Sequence, residues 1–409
     1  MSLSRTEQLF LEAVKSAIHE ESVSWDCIRS EEWEMLMKLA AAHKVQPLAL
    51  NAVYRCPAAQ QWEQLSAQKR IAKMQVMSQA VRTAEFLSVY DRLRSFGCKP
   101  LVVKGLVCRA TYANGDLRQS ADEDLFAAEP DFSACCRVLE SSDMVATTEQ
   151  AGTEVYEIGW RKPNSPLYIE LHKSLFSPAS SAVSALQGYF TNAFERAREY
   201  QIDGSQVLSL CPHDHLLYLI LHAYKHFIHS GFGIRQICDV GLWVKKYSDE
   251  IDWSVLYEQC RNVHALKFAA AMLEVAKRYL EINFSLPDAW NKLQVDGEPL
   301  LIDSLRAGIY GSSEQSRAHS ASVTFHSVAA ERKNQRSSLL YTIFPGKKEL
   351  ENDYPILKKS AVFLPGVWCV RLWRYWKETK STPDNRMTEA LRIARERKAL
   401  LQYYEIIDS

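Results

Sequence analysis

Two aspartates, Asp122 and Asp124, lie two residues apart within Lys99–Glu129, KPLVVKGLVCRATYANGDLRQSADEDLFAAE. In an extended segment, residues two apart lie on the same face, so the two carboxylates would point the same way. Carboxylates this close repel each other unless a cation lies between them. The pair therefore predicts a site for a hard divalent cation, Mg²⁺ or Mn²⁺.

A third carboxylate, Glu170, lies in the segment LYIELH. Leu167, Ile169 and Leu171 alternate with polar residues, which predicts a half-buried strand that carries Glu170 on its other face. An Asp-x-Asp pair alone is a weak signal, because exposed acidic pairs are common in turns. Three carboxylates on neighbouring strands are what two-metal phosphoryl and nucleotidyl transfer requires, two to hold the ions and one near the attacking hydroxyl.

The elements around these residues predict an α+β chain. Apolar residues recur at helical spacing up to about Ser95, and Gly97 is a typical helix stop before a strand at residues 100–104. The predicted organisation is an N-terminal helical region (1–97), an α/β core (98–210), a helical domain (211–300), a flexible connection (301–338) and a C-terminal helical region (339–409).

Composition and charge exclude several classes of protein. The 409 residues are 47% hydrophobic and 24% charged, which is ordinary for a globular protein, and the zero net charge does not indicate a nucleic-acid partner. The ten cysteines include no CxxC motif, which favours reduced thiols and a cytoplasmic location. The N-terminus lacks the apolar core of a signal peptide, and no run is long enough to predict a transmembrane segment.

The stretch VVKGLVCRATYANGDLRQSADEDLF resembles the signature of the uncharacterised bacterial nucleotidyltransferases of the polymerase-β-like superfamily. YIELH is similar to the family's second carboxylate strand, and HDHLLYLILHAYKHF with IRQICDVGLWV resembles its helical part; FPGKKELENDYPILKK resembles its late segment. The matching positions are Lys104, Gly105, Tyr112, Arg118, Asp122, Asp124, Leu125, Glu170, His172, His215, Leu216, His222, His226, Arg235 and Asp239.

The resemblance implies a small mixed sheet with helices, flanked by helical regions, that moves a nucleoside monophosphate from an NTP to a hydroxyl acceptor. It implies that Asp122 and Asp124 hold Mg²⁺, and that Glu170 completes the second metal site and helps to deprotonate the acceptor. Lys104 and Arg118 would neutralise phosphate charge, and Gly105 would let backbone N–H groups approach the phosphates. The other implied nucleotide-binding residues are His172, His222, His226, Arg235 and Asp239. The acceptor stays open between a small molecule such as an antibiotic, a sugar, a protein side chain and an RNA end.

Two positions depart from the family pattern. Leu106 follows the glycine where the superfamily has a small residue, so Lys104 or Arg118 would have to replace the usual serine contact to the triphosphate. Glu123 stands in the middle of the Asp-x-Asp where an apolar residue is typical, which implies a basic partner, an edge strand or a degenerate site. A binding or regulatory protein of the same fold that has lost turnover is therefore the alternative interpretation.

Three further sequence patterns allow more than one interpretation. The histidines His213, His215, His222, His226 and His229 could face a nucleotide cleft, bind zinc or be buried in helices, and zinc is disfavoured because no HExxH motif or cysteine pattern accompanies them. Arg235 and Asp239 are spaced i, i+4, which fits a surface ion pair or residues lining a cleft or a domain interface. Trp368, Trp373 and Trp376 could form a membrane-surface helix, although packing onto the protein is favoured because Pro365 and Gly366 interrupt the run.

Overall fold

The computed structural model describes residues 3–147, 156–176, 184–229 and 232–309, and, further along the chain, residues 354, 360, 363–368, 370 and 396–407. The chain divides into two compact units. One contains Met1–Lys225 and Phe232–Ile309, and the other contains His226–Gly231 and Tyr310–Ser409. Among the candidate carboxylates, basic residues and histidines, only His226 and His229 belong to the second unit.

The N-terminal part of the first unit is helical, as its apolar spacing predicts. Ser4 begins the first helix with a capping box, in which its hydroxyl oxygen accepts the backbone N–H of Glu7 and the Glu7 carboxylate accepts the backbone N–H of Ser4. Gly97, with φ of +82°, follows the last of these helices, which confirms the predicted stop. The five helices are α1 (Arg5–Ile18), α2 (Ser30–Ala42), α3 (Gln46–Val53), α4 (Pro57–Gln60) and α5 (Leu65–Ser95).

A mixed seven-stranded sheet follows, and the chain is therefore α+β as predicted. Its strands are β1 (Leu101–Val103), β2 (Glu123–Phe126), β3 (Val145–Ala146), β4 (Glu157–Arg161), β5 (Tyr168–His172), β6 (Arg198–Ile202) and β7 (Ser205–Ser209). They lie in the order β3-β4-β5-β2-β1-β7-β6. The short helices α6 (Gly105–Arg109) and α7 (Glu129–Glu140) flank β2 along the chain.

The strand register places the carboxylates beside each other at the centre of the sheet. Strand β2 runs antiparallel to β1 and parallel to β5, and Asp124 lies opposite Val103 on one side and Glu170 on the other. Strand β4 runs antiparallel to β5, with Glu157 opposite His172. Directly paired residues share a face of the sheet, so Asp124, Glu170, His172 and Glu157 all project from the same face.

Helices follow the sheet: α8 (Pro212–His229), α9 (Ile234–Tyr247), α10 (Trp253–Asn262), α11 (Leu266–Arg278), α12 (Asp288–Asn291) and α13 (Glu298–Ile309). Among the described residues, none of the helices combines the length and the apolar character needed to cross a bilayer. Residues 301–309 of the predicted flexible connection form the C-terminal part of α13. The rest of that connection, most of FPGKKELENDYPILKK, and Trp373 and Trp376 of the predicted tryptophan helix lie outside the described residues.

Candidate functional site

The candidate site is a cluster of Asp124, Glu170 and His172 on the central strands β2 and β5. One ligand atom from each side chain lies within 4.8 Å of those of the other two. The cluster follows from the register, because Asp124 pairs with Glu170 and His172 is two residues further along β5 on the same face. Asp124 and Glu170 were predicted as metal ligands, and His172 was predicted as a nucleotide-binding residue.

Asp124 is the most buried acid of the cluster, with a side chain only 1% exposed. Its Oδ1 lies 2.9 Å from the Lys104 ammonium and 3.1 Å from Nε2 of His172. Burial alone would raise the pKa of this carboxyl, but Lys104 and His172 outweigh that effect and lower its pKa to about 2. Asp124 is therefore ionised at neutral pH.

His172 lies between two carboxylates and is almost fully buried. Its Nε2 contacts Asp124, and its Nδ1 lies 3.2 Å from Oε2 of Glu157. Burial lowers the pKa of a histidine, yet Asp124 and Glu157 raise the pKa of His172 to about 9. The imidazole is therefore protonated at neutral pH, and its Nε2 donates to Oδ1 of Asp124, which holds that carboxylate in a fixed orientation.

The pKa of Glu170 shifts in the opposite direction to the pKa of Asp124. Its side chain is 24% exposed, and its Oε2 is 3.7 Å from Nε2 of His172. Burial, followed by the charges of Asp124, Asp122 and Glu157, raises the pKa of Glu170 to about 7. The cluster thus holds more negative charge than its own cations neutralise, and Glu170 is the carboxyl at which a further cation or proton is most favoured.

Lys104 lies where β1 ends and α6 begins, with φ of +55°, a backbone region that residues with a side chain rarely adopt. Its backbone N–H donates to Nε2 of His215 at 3.1 Å. Its ammonium lies 2.9 Å from Oδ1 of Asp124 and 3.1 Å from Nε2 of His222. Burial would lower the pKa of Lys104, but Asp124 raises it above its ordinary value. Strained backbone at a site that binds charge is typical of functional positions.

Asp122, the first member of the predicted Asp-x-Asp, immediately precedes β2 and is half-buried. It is not one of the three residues whose ligand atoms converge among the described residues. Its charge nevertheless contributes to raising the pKa values of Lys104 and Glu170. Asp122 therefore lies beside the cluster, and His172 instead of Asp122 is the third member of the converging group.

Glu123, the unexpected middle residue, is fully buried and has a basic partner. Its Oε1 accepts from the Arg109 guanidinium at 2.8 Å, and its Oε2 accepts the Leu106 backbone N–H at 3.1 Å. Strand β2 lies between β5 and β1, so the edge-strand alternative is wrong. A Cβ at position 105 would collide with Oε2 of Glu123, so Gly105 gives room to this carboxylate. The role of Gly105 towards phosphate stays a prediction.

Arg118 and Asp239 form a buried ion pair that joins the core to α9. The Arg118 Nε and Nη2 atoms donate to the two Asp239 oxygens at 3.1 and 2.6 Å, and the Tyr112 hydroxyl donates to Oδ1 at 2.8 Å. The interpretation of Arg235 and Asp239 as a surface ion pair is wrong, because Asp239 is buried and Arg235 donates to the Gln119 carbonyl at 2.7 Å. The i, i+4 spacing is local to one helix, whereas the actual partner comes from 121 residues earlier.

The predicted histidines have different surroundings. His222 contacts the Lys104 ammonium and so lies at the cluster, whereas His215 is buried against Trp243 with a pKa that burial lowers to about 3. His213 contacts Gln259 at 3.0 Å. His226 belongs to the second unit, and the side chain of His229 lies outside the described residues. Within the described parts of the chain, these histidines do not form a group of three that could hold zinc.

Two site residues were absent from the sequence prediction. Glu157 of β4 lies within ion-pair distance of His172. The second is Lys225 of α8, whose pKa is lowered by burial and by the charge of Lys104, while the charge of Glu157 opposes this shift. The alternation of Glu157, Ile158, Gly159 and Trp160 predicts a strand with Glu157 on the polar face, but it does not tell which strand lies alongside. Only the β4 to β5 pairing brings Glu157 to the site.

Comparison with known proteins gives one family match. A family model described as an uncharacterised nucleotidyltransferase matches residues 29–281, which include every strand of the sheet. Among solved structures, the chain is similar to an antigenic nucleotidyltransferase-like protein from Paracoccidioides brasiliensis, with 14% sequence identity and a TM-score of 0.31 over 50% of this chain and 94% of that one. The search of curated proteins found no match.

Proposed function

The chain belongs to this family of uncharacterised nucleotidyltransferases, and we propose that it transfers a nucleoside monophosphate from an NTP to a hydroxyl-bearing acceptor with Mg²⁺ or Mn²⁺. The observation that supports the proposal most is the direct pairing of Asp124 with Glu170 on neighbouring parallel strands. Two carboxylates projecting together from the centre of a sheet are the arrangement that metal-dependent phosphoryl chemistry uses.

The donor atoms of the cluster fit a hard divalent cation. Carboxylate oxygens of Asp124 and Glu170 would hold it, with Asp122 beside them, and the pKa of Glu170 is raised by burial and by the charges of the neighbouring carboxylates. His172 is protonated and already donates to Asp124, so its role is to orient that carboxylate. A divalent cation held by Asp124 and Glu170 would supply positive charge that offsets the negative charge developing on the phosphates during transfer.

The residues of the chain supply the other parts of the reaction. The acceptor hydroxyl oxygen forms a bond to the α-phosphorus, the bond between that phosphorus and the bridging oxygen breaks, and pyrophosphate leaves. Glu170, which is partly exposed and pairs with Asp124 at the centre of the site, takes the hydroxyl proton. The Lys104 ammonium, with His222 beside it, neutralises phosphate charge.

Two observations favour a second candidate, a catalytically degenerate binding or regulatory protein of the same fold. A single oxygen of Asp124 contacts two internal cations, Lys104 and His172. In addition, the Leu106 backbone N–H, which would lie in the superfamily's phosphate loop, already donates to Glu123. A chain with this arrangement can keep a nucleotide cleft without turnover.

The test is thermal stabilisation by each NTP with and without Mg²⁺, in the wild type and in Asp124→Asn. The proposal predicts a Mg²⁺-dependent shift in the wild type that the variant loses. Asp116→Asn is the matched control, because Asp116 is an exposed aspartate in the same stretch of chain and should keep the shift.

Pyrophosphate release over a panel of hydroxyl acceptors then separates the two candidates. Release that requires Asp124 supports the enzyme. Nucleotide binding with no release from any acceptor supports the degenerate protein, and the absence of any NTP effect in the wild type would refute both.

A further inference from the structure

A polar cleft of about 510 Å³ lies where β4 ends and β5 begins. It is bounded by Ala121 before β2, by Arg161 at the end of β4, by the turn at residues 162–166 and by Tyr168 at the start of β5. Its volume is in the range of small-molecule sites.

The cleft is on the same face of the sheet as the cluster. Glu170 pairs with Gly159, and the next pair along these two strands on that face is Tyr168 with Arg161. Two residues along a strand span about 7 Å. The Tyr168 hydroxyl lies over Gly159 within that distance, so a small molecule held at Arg161 reaches Glu170 by passing over the Tyr168 ring. At the other side of the cleft, Ala121 is the neighbour of Asp122 along the chain.

The Tyr168 side chain forms one wall of the cleft and is held in place by contacts with its neighbours. Its hydroxyl lies 3.3 Å from Oγ1 of Thr147, which in turn donates to the Gly159 carbonyl at 3.1 Å. A Cβ at position 159 would collide with the Tyr168 hydroxyl, so the glycine allows the phenol to lie across β4. The ring is thus held at the sheet surface next to the open volume.

The charge of the cleft is opposite to that of the cluster. Two cationic side chains, Arg161 and Lys162, line it, and no carboxylate does. Lys162 lies 3.7 Å from Glu85 of α5. Arg161 is exposed and makes no ion pair with any residue that the structure describes. A guanidinium presents a planar set of donors that matches a phosphate group.

We propose that this cleft binds the phosphate group of the acceptor, so that the acceptor is a small hydroxyl compound carrying a phosphate monoester. Arg161 and Lys162 bind the phosphate, Asn164 and Ser165 border it, and the free hydroxyl of the same molecule points along β5 to Glu170. The assignment of this molecule as acceptor rests on the proposed nucleotidyl transfer, whereas the binding of a phosphate monoester at Arg161 does not.

The test is calorimetric titration of the full chain with glycerol 3-phosphate, ribose 5-phosphate and glucose 6-phosphate, and with glycerol, ribose and glucose as phosphate-free counterparts. We expect binding of at least one phosphate ester and of none of the counterparts. Arg161→Gln should weaken that binding at least about tenfold, since it removes a charge-assisted contact. Arg161→Lys should restore part of it. Arg70→Gln, an exposed arginine of α5, is the matched control and should bind as the wild type does.

A second titration with ATP and Mg²⁺ distinguishes the acceptor cleft from the nucleotide site. Arg161→Gln should leave ATP affinity within about twofold of the wild type. An equal loss for ATP and the phosphate esters would assign the cleft to the nucleotide and overturn the proposal. So would the absence of binding by all three esters, or an equal loss in Arg70→Gln.

Failure of the proposed transfer reaction has a different signature. It appears as the absence of an Asp124-dependent ATP effect, while phosphate-ester binding at Arg161 is retained. If both hold, pyrophosphate release from ATP should be faster with the phosphate ester that binds than with its phosphate-free counterpart.

Discussion

Glu170→Gln should stabilise the metal-free protein above neutral pH, although it removes a residue of the candidate site. The pKa of Glu170 is raised from its ordinary 4.5 to about 7, so the folded protein holds this proton more tightly than the unfolded chain does. Stability therefore falls as the pH rises from about 4.5 to 7, and the loss is complete above that window. A difference of this size corresponds to about 3 kcal/mol, and glutamine, which cannot ionise, avoids it.

The assay is urea unfolding of the wild type and Glu170→Gln in EDTA at pH 5 and pH 8. We expect the variant to be more stable than the wild type by up to about 3 kcal/mol at pH 8 and by much less at pH 5. Glu157→Gln is the control with the opposite sign. Its contact with His172 lowers the pKa of Glu157, so its stabilising contribution is present above the ordinary pKa, and the variant should be less stable than the wild type at pH 8.

The effect of Mg²⁺ on the stability of the two proteins tests whether Glu170 contributes to a metal site. A cation bound at the carboxylates removes the repulsion that Glu170 suffers, so millimolar Mg²⁺ at pH 8 should stabilise the wild type more than Glu170→Gln. A Glu170→Gln variant that is less stable than the wild type in EDTA at pH 8 would contradict the raised pKa of Glu170. An equal difference in stability between the two proteins at both pH values would contradict it as well.

Two further substitutions test the contacts that position the site. Arg118→Met leaves the buried Asp239 carboxylate without its cation and should cost about 3–5 kcal/mol in urea unfolding; a loss under 1 kcal/mol would show that the pair is not buried as described. Gly105→Ala should cost about 1–3 kcal/mol in thermal or urea unfolding, because the new methyl group meets the Glu123 carboxylate, which is held at both oxygens. Gly188→Ala, with no atom within 4 Å of the added Cβ, should change stability by less than about 0.5 kcal/mol, and equal effects of the two alanines would contradict the steric explanation.

Local patterns predicted the elements that carry the site better than those at the edge of the sheet. The apolar run at residues 100–104 and the glycine stop at Gly97 were both confirmed, because a buried strand and a left-handed helix end leave strong local signals. The hairpin of β6 and β7 was not predicted. In β6, Arg198, Glu199 and Gln201 are exposed, so the apolar alternation that marks a half-buried strand is weak there.

Alternation in the sequence predicts which residues of one strand share a face. It does not predict which strands pair with each other. Period-two alternation put Asp124 and Glu170 on polar faces, but the parallel pairing of β2 with β5 depends on the whole topology. The same limit explains the partner of Asp239. Helical periodicity suggested Arg235, four residues away, whereas the buried bidentate partner is Arg118, which becomes a neighbour only when α9 packs on the core.

The contact between Lys104 and Asp124 has different consequences for an enzyme and for a degenerate protein. In an enzyme, phosphate oxygens offer the Lys104 ammonium another partner, so nucleotide binding frees an oxygen of Asp124 for the metal. Mg²⁺ and NTP then strengthen each other's binding, and linkage requires the same factor in both directions. In a degenerate protein, the 2.9 Å ion pair persists as the permanent counter-ion of Asp124, and nucleotide binding is independent of Mg²⁺. The ion pair in the metal-free chain is thus compatible with both, and the reciprocity of Mg²⁺ and NTP binding decides between them.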